Sequence, residues 1–403
     1  MNPTSRSLAD ERTLVHGMER DVVTADWPAL TDDEVLTVFA HIDGPGSPGA
    51  RTGGDGRIRV TWSSPRPMSA AAMVRGPRGE YFVKRHHVAV RDAERLRVEH
   101  AFARHLRERG QPVAKVLAGP DGDTVIRRGD FVYEVHDKAP GVDLYREHPS
   151  WYPYDNHDHA RAAGAALARC LIAANDFAVP ATPPGVLTNS MVVVASNDPL
   201  ATLHHLIDSR PALARALEYR DVDADVSRRL IPAAHFVAPL LARLTPQWGH
   251  GDWHPSNLTW TAPGPGARVA GILDLGLANR TTAVHDLAVA LERSVVDWLD
   301  LTRSGEVRAD LVHVDAFLDG YESVRPLDQN EWSALIALLP VVHLEFALSE
   351  VEYFADVVRS EKNTALAYEG YLLGHARWFE ESNGIELLAH LQSRWPRHES
   401  PTA

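Results

Sequence analysis

Apolar positions along the chain change period several times, and each change marks an element. Val35, Leu36, Val38, Phe39 and Ile42 follow Thr31-Asp32-Asp33-Glu34 at helical spacing, and that tetrapeptide has the form of a capping box, so a first helix is predicted from residue 31. Residues 43–56 are dominated by glycine and proline and read as a linker or exposed loop. Strand-like runs then take over, with strands predicted over 58–62, 71–75 and 81–84 and a turn at Gly76-Pro77-Arg78-Gly79. Helical spacing returns over 92–109 and stops at Gly110; two more strands are expected at 124–127 and 131–136. Beyond Pro140-Gly141 the chain reads as mostly helical, interrupted by the proline-rich stretch 180–185 and by a strand-loop-strand block near residue 250. The expected fold class is α+β: a small antiparallel sheet with one helix, followed by a larger helical part. The predicted divisions are an N-terminal arm, helix and flexible linker (1–56), an N-lobe (57–137), a helical C-lobe (138–394) and a fraying tail (395–403).

Composition narrows the function classes. With 403 residues and 44% hydrophobic content the chain can bury two cores. A balance of 41 basic and 54 acidic residues argues against a general affinity for nucleic acid or anionic membranes, and mildly favours a cationic partner. The single cysteine, Cys170, has no partner for an intrachain disulfide and fits a reducing cytoplasm. No stretch has the length and apolarity of a signal peptide or a membrane span, so a soluble cytoplasmic protein is expected.

The strand-loop-strand block carries the chemistry. Its run Trp248-Gly249-His250-Gly251-Asp252-Trp253-His254-Pro255-Ser256-Asn257, with Ile272-Leu273-Asp274-Leu275-Gly276 downstream, places an asparagine five residues after one aspartate and a second aspartate seventeen later. Phosphoryl transfer needs a carboxylate to accept a hydroxyl proton and oxygen ligands to hold magnesium on the departing phosphates. Asp252 suits the first role, Asn257 and Asp274 the second. A metal-hydrolase reading would instead take His250, Asp252 and His254 as alternating ligands on one strand face, but it leaves Pro255 and Asn257 without a role. Both histidines are therefore read as loop scaffold. Upstream, period-two alternation sets Lys84 on the face of Phe82, and Glu99 falls on the apolar helix stripe of Leu96, Ala103 and Leu106. A Lys84–Glu99 ion pair that aims Lys84 at nucleotide phosphates is expected; an edge-strand lysine and a marginal glutamate would look the same. Ser63 and Ser64, in the loop 62–70, are candidate phosphate donors, although a surface turn has the same composition. Glu134 and His136 lie where an interlobe hinge would offer its backbone to adenine.

The string His250-Gly251-Asp252-x-His254-Pro255-x-Asn257 with Asp274-x-Gly276 resembles the signature of the aminoglycoside phosphotransferase and choline kinase-like superfamily, which shares the protein-kinase fold. The resemblance runs from about residue 57 to 378 and is sharp only in the catalytic block. It implies a bilobal, ATP- and Mg2+-dependent kinase of small molecules, with Asp252 as base, Asn257 and Asp274 on the metal, Lys84 on phosphate and Glu99 as its pair. Asp286 matches an aspartate that often follows the metal motif, and a carboxylate at a helix N-terminus is the alternative. A protein kinase is disfavoured, because about ten residues separate Gly276 from the helical run at Asp286, too few for an activation loop.

For the acceptor, Glu345, Ser349, Glu352 and Asp356 stack in one helical stripe, readable as a solvated face or as a carboxylate-lined pocket for an amine-bearing alcohol, with Trp298 or another tryptophan over the cation. The segment Phe317-Leu318-x-Gly320-Tyr321, Arg325-Pro326-Leu327 and Glu331 is also similar to the C-terminal part of type II homoserine kinases. Ser349-Glu350 stands where that family is expected to have Ser-Arg. Aminoglycosides, amino sugars, amino alcohols and plain sugars stay open as acceptors, and a non-catalytic nucleotide-binding pseudokinase is the reading from another class.

Overall fold

The computed structural model describes residues 26–43 and 58–395, apart from 77, 147, 149 and 305, together with the pairs 13–14 and 22–23. The predicted linker, after Asp43, and the end of the tail lie outside the described residues. Near the N-terminus β1 (Thr13–Leu14) pairs with β2 (Val22–Val23), and α1 (Asp32–Asp43) follows. The hydroxyl of Thr31 accepts the Glu34 N–H at 3.2 Å, half of the expected capping box.

The N-lobe is a five-stranded antiparallel sheet built from β3 (Arg59–Ser63), β4 (Ala70–Gly76), β5 (Gly79–His87), β6 (Ile126–Arg128) and β7 (Phe131–Asp137), in the order β3-β4-β5-β7-β6. Strand alternation divides its side chains between two faces. One face, with Ala72, Val74, Val83 and Val135, forms a buried cluster with Val35, Val38 and Phe39 of α1. Helix α1 therefore belongs to this lobe rather than to a separate arm. Glu34 fastens it there, through an ion pair to Arg85 at 2.7 Å and a hydrogen bond from the Tyr133 hydroxyl at 2.6 Å. The opposite face, with Phe82, Lys84 and Glu134, looks into the interlobe cleft, which α2 (Ala93–Glu108) also lines.

The C-lobe is helical around two short hairpins. Its trunk is α3 (His157–Ala174), followed by α4 (Pro199–Asp208), α5 (Pro211–Leu217), α6 (Val222–Ser227) and α7 (Leu230–Leu241). Strand β8 (Pro246–Gly249) pairs antiparallel with β11 (Asn279–Thr282), and β9 (Leu258–Trp260) with β10 (Val269–Ile272). Then come α8 (Ala283–Val295), α9 (Trp298–Ser304), α10 (Leu311–Glu322), α11 (Gln329–Leu338) and α12 (Leu344–Glu352). Helix α12 continues as a π-helical stretch, Tyr353–Val358, so the helix expected over 341–358 widens at its end. Helices α3 and α10 cross where neither has a side chain: a Cβ on Gly164 would lie 2.0 Å from the Phe317 carbonyl oxygen, and one on Gly320 1.9 Å from that of Arg161. The Gly320 motif is thus a packing feature of the trunk. Arg325 and Glu331 pair with each other, and Glu331 completes a capping box with Asp328 at the start of α11.

Candidate active site

The two hairpins assemble the catalytic block. Leu258 pairs with Ile272 at the ends of β9 and β10, which brings Asn257, just before one strand, beside Asp274, two residues beyond the other. Gly249 pairs with Asn279, which sets the loop from His250 to Asn257 against the turn Leu275–Leu277. The loop is tight: Gly251 has φ of 73°, and a Cβ there would lie 2.1 Å from the Leu277 carbonyl oxygen. Its backbone is held by Asp286 in the first turn of α8, whose carboxylate accepts the His250 N–H at 2.8 Å and the Gly251 N–H at 2.6 Å. Burial raises the Asp286 carboxyl above its ordinary range, while the neighbouring His250 ring and these hydrogen bonds oppose the rise. Asp286 is fully enclosed, so it positions the loop rather than facing an acceptor. The ring of His250 is likewise scaffold: Nε2 meets the Leu273 carbonyl at 2.8 Å and Nδ1 accepts the Asp252 N–H at 3.2 Å. His254 stands with Nδ1 at 3.0 Å from the Ser256 hydroxyl and Nε2 at 3.4 Å from Asp252.

Asp252 carries one oxygen toward Asn257, whose side-chain N–H donates at 3.0 Å, and the other toward Arg293, with which it forms a close ion pair. The same asparagine nitrogen donates to the Asp252 carbonyl at 2.9 Å, which turns the amide oxygen away from Asp252. Asn257 and Asp274 both line the interlobe cleft, whose volume is about 540 Å³. That size is in the usual range for a small-molecule site. Asp274 adopts a left-handed conformation (φ 52°, ψ 76°) and keeps about a third of its side chain, 36%, open to the cleft. Burial would raise its carboxyl, but the Lys84 ammonium overrides this and holds it below the ordinary carboxylate range.

On the N-lobe side the expected pairing is exchanged. Lys84 Nζ lies 2.8 Å from Asp274, and Glu99 pairs with Arg91 at 3.1 Å and Arg95 at 3.3 Å. Two guanidiniums at the root of α2 outcompete one ammonium further along a strand. Even with them, burial pushes the Glu99 carboxyl up to about 7. Arg91 and Arg95 also donate to the Gly276 carbonyl at 2.7 and 3.1 Å, tying α2 to the metal-motif turn. Glu134 and His136 do not form the hinge. They sit within β7, in register with Lys84 and Phe82, and line the inner wall of the cleft. Burial disfavours the Glu134 charge, but His136, His100 and His86 together hold its carboxyl well below the ordinary range. Of the loop serines, Ser64 lines the cleft and accepts the Arg66 N–H at 3.3 Å, while Ser63 ends β3 with its side chain outward. Arg66, not foreseen, reaches across to the Ser256 carbonyl at 3.4 Å.

The acid stripe turns inward along α12, from Glu345 to Glu352, and only Asp356, beyond the helix, stays exposed. Glu345 accepts from the Ser190 hydroxyl and from the N–H groups of Val192, Val193 and Val194 at 2.9, 2.7 and 3.2 Å. The Ser349 hydroxyl donates to the Phe346 carbonyl at 2.7 Å, Glu352 pairs with buried Arg210, and Asp356 pairs with Arg215 at 3.0 Å. Glu345, Glu352 and Asp356 thus brace this helical stretch against neighbouring segments, while Ser349 bonds within its own helix. The residue that does share the field of Asp252 and Arg293 is Glu350, fully enclosed, with neither oxygen hydrogen-bonded. Arg293 itself lies between the rings of Trp151 and Phe346, 4.6 and 4.7 Å from their centroids. A sequence signal for Arg293 existed: it follows Asp286 by seven residues, so both project from one face of α8 toward the catalytic loop.

Comparison with known proteins agrees with this geometry. A family model, the phosphotransferase enzyme family (APH), matches residues 70–327. A homoserine kinase of Methylobacillus flagellatus is 30% identical over 113 residues, 28% of this chain and 33% of the relative. One of Methylobacillus glycogenes is 37% identical over 89 residues, 21% of this chain and 25% of the relative. The chain thus spans a third or less of the length of the curated relatives it matches. Among solved structures, an amicoumacin kinase in complex with AMP-PNP and Ca2+ superposes with a TM-score of 0.55 at 15% identity, covering 87% of this chain and 94% of the other. A microcompartment-associated aminopropanol kinase does so with a TM-score of 0.51 at 15% identity, covering 87% and 98%. At that identity the likeness concerns the fold, a bilobal kinase-like α+β arrangement. The match of the family model over most of both lobes, catalytic block included, makes this chain a member of the APH phosphotransferase family.

Proposed function

We propose that this protein is an ATP-dependent kinase that transfers the γ-phosphoryl group to a hydroxyl of a small polar, amine-bearing molecule. The observation that carries the reading is the convergence of Lys84, Asn257 and Asp274, from separate elements of both lobes, on one cleft of suitable size, with Asp252 hydrogen-bonded to Asn257 behind its lining. The oxygen donors Asn257 and Asp274 fit Mg2+, a hard cation that prefers oxygen ligands. When bound, the ion neutralises charge on the transferring phosphates. Lys84 is placed to take the α- and β-phosphates once it parts from Asp274. Asp252 is the base: its carboxylate orients the acceptor hydroxyl and takes its proton, and Arg293 has to yield one oxygen for this.

Two features support an amine on the acceptor. Behind Asp252, Glu350 and Glu292 lie in the field of Arg293 with carboxyls raised by burial, so an ammonium brought beside them would draw out their charge. Trp151, Phe346 and Tyr371 supply ring faces there. The fold relative that is an aminopropanol kinase points the same way. A second reading, a hydroxy amino acid such as homoserine, is favoured by the local likeness to homoserine kinases and by Arg293, which could take an acceptor carboxylate. An acceptor panel of aminoglycosides, amino sugars, amino alcohols, homoserine and plain sugars, read as acceptor-dependent ADP release, separates them. Turnover is expected with an amine-bearing alcohol, and Asp252→Asn is expected to lower kcat by about 10²–10⁴-fold with little change in the KM for ATP. No ADP release with any acceptor and no effect of Asp252→Asn would make the protein a pseudokinase.

A further inference from the structure

Beneath Lys84, on the inner wall of the cleft, Glu134 is surrounded by imidazoles. Its Oε2 lies 2.9 Å from His100 Nε2 and 2.7 Å from His136 Nε2, and its Oε1 lies 3.0 Å from His86 Nε2. The His100, Glu134 and His136 ligand atoms fall within 4.8 Å of one another. Three different elements deliver the imidazoles: His86 from β5, His100 from α2 and His136 from β7. Among the described residues, no lysine or arginine stands within ion-pair distance of Glu134, because Asp274 engages Lys84 and Glu99 engages Arg91 and Arg95. Glu134 is thus an ionised oxygen donor with imidazole nitrogens converging on it and no lysine or arginine competing for it.

We propose that His100, Glu134 and His136 form a binding site for a borderline divalent transition-metal ion of the Zn2+ type, separate from the oxygen-donor pair Asn257 and Asp274. Two imidazole nitrogens and one carboxylate oxygen suit such an ion and not Mg2+. Bonds of about 2.0–2.1 Å in a tetrahedral shell put ligand atoms roughly 3.3 Å apart, so the two spacings to Glu134 need to open by about half an ångström. The surroundings match those of metal ligands. The other ring nitrogen of His100 meets the Thr124 hydroxyl at 2.8 Å, which orients the ring, and His86 steadies the second oxygen of Glu134. All three ligands line the cleft, so a fourth position opens toward it. The proposal goes beyond the kinase reading, since the phosphoryl-transfer groups take no part in it.

The test uses the full chain, stripped with a chelator and dialysed against Zn2+ in millimolar Mg2+. The chain has 21 histidines, so the quantity that counts is the difference between wild type and a His100→Gln, His136→Gln double variant. Wild type is expected to hold one more tight equivalent of zinc than the double variant. Its Co2+ form should show the visible absorption of a tetrahedral site, absent from the variant, and Thr124→Val should weaken binding by about 10-fold. Equal stoichiometry and affinity in the two proteins would overturn the site, as would displacement of the zinc by Mg2+. If the double variant fails to fold, crystals of the wild type soaked in zinc decide: an anomalous peak among the three side chains supports the site, and zinc peaks only elsewhere, or none, overturn it. None of these readouts depends on turnover, so the site and the kinase assignment stand or fall separately.

Discussion

Glu350 has no exposed surface, and neither of its oxygens has a hydrogen-bond partner. Burial drives its carboxyl up from an ordinary 4.5 to about 8, with Arg293 only partly opposing the shift. The folded chain thus binds this proton more tightly than the unfolded chain does. Stability from it is complete below about 4.5 and is lost as the pH climbs through about 8. Across that window the loss approaches about 1.4 kcal/mol per pH unit. Glu350→Gln keeps the neutral shape, so the melting-temperature gap between variant and wild type is expected to widen in the variant's favour from about pH 5 to about pH 8. A gap independent of pH would mean that Glu350 is already charged and paired at low pH. Residues of the site differed in how legible they were. Asp252, Asn257 and Asp274 could be read because a hairpin fixes their relations locally. The partner of Lys84 could not, since alternation gives the face of a strand and not which carboxylate a long side chain reaches. The departure at Glu350 was visible as a missing cation, whereas its burial beside Arg293 needed the packing of α8 and α12.

Periodicity located nearly every N-lobe element to within about two residues, because turns and alternation there are local signals. It failed on which way a face looks. The stripe Glu345, Ser349, Glu352 and Asp356 reads first as a solvated face, with a pocket as the alternative; Glu345 and Glu352 are in fact buried struts, and Ser349 is buried within its own helix. It also separated α1 from its sheet, because the intervening glycine- and proline-rich stretch resembles a domain linker whichever side the helix packs on. At the α3–α10 crossing the sequence offered Gly320 as a family-like motif, and the structure gives it a mechanical meaning. Gly320→Ala drives a methyl into the Arg161 carbonyl and is expected to cost about 1–3 kcal/mol, measured by urea unfolding. Gly370→Ala, at a helical position with open space around it, is expected to be neutral or to stabilise by about 0.5–1 kcal/mol. If both changes cost the same, the crossing is looser than described.

Across the whole molecule, the lobes meet through apolar packing of Phe102 on α2 against Phe177 and Trp248 and through charged and polar contacts at the cleft. Lys84 reaches Asp274, Arg66 reaches the Ser256 carbonyl, and Arg91 and Arg95 reach the Gly276 carbonyl. Residues before α1 add another link: the Asp26 N–H donates to Pro67 of the N-lobe loop at 3.3 Å, and its carboxylate accepts the Tyr353 hydroxyl of the C-lobe at 2.7 Å. The Lys84–Asp274 bridge has a thermodynamic corollary. In the proposed roles, the cation that would take phosphate and the anion that would take metal neutralise each other. Mg2+ arriving alone has to evict an ammonium, and a nucleotide arriving alone has to draw that ammonium from a carboxylate; arriving together, each releases the group that the other needs. Binding of the two is therefore expected to be cooperative, by about 5–150-fold and equally in both directions. Calorimetric titration of ADP with and without Mg2+, and of Mg2+ with and without ADP, measures that coupling, and Lys84→Met, with no ammonium to exchange, should strengthen Mg2+ binding in the absence of nucleotide. The bridge across the cleft would thus make it respond to a metal–nucleotide pair as a single ligand.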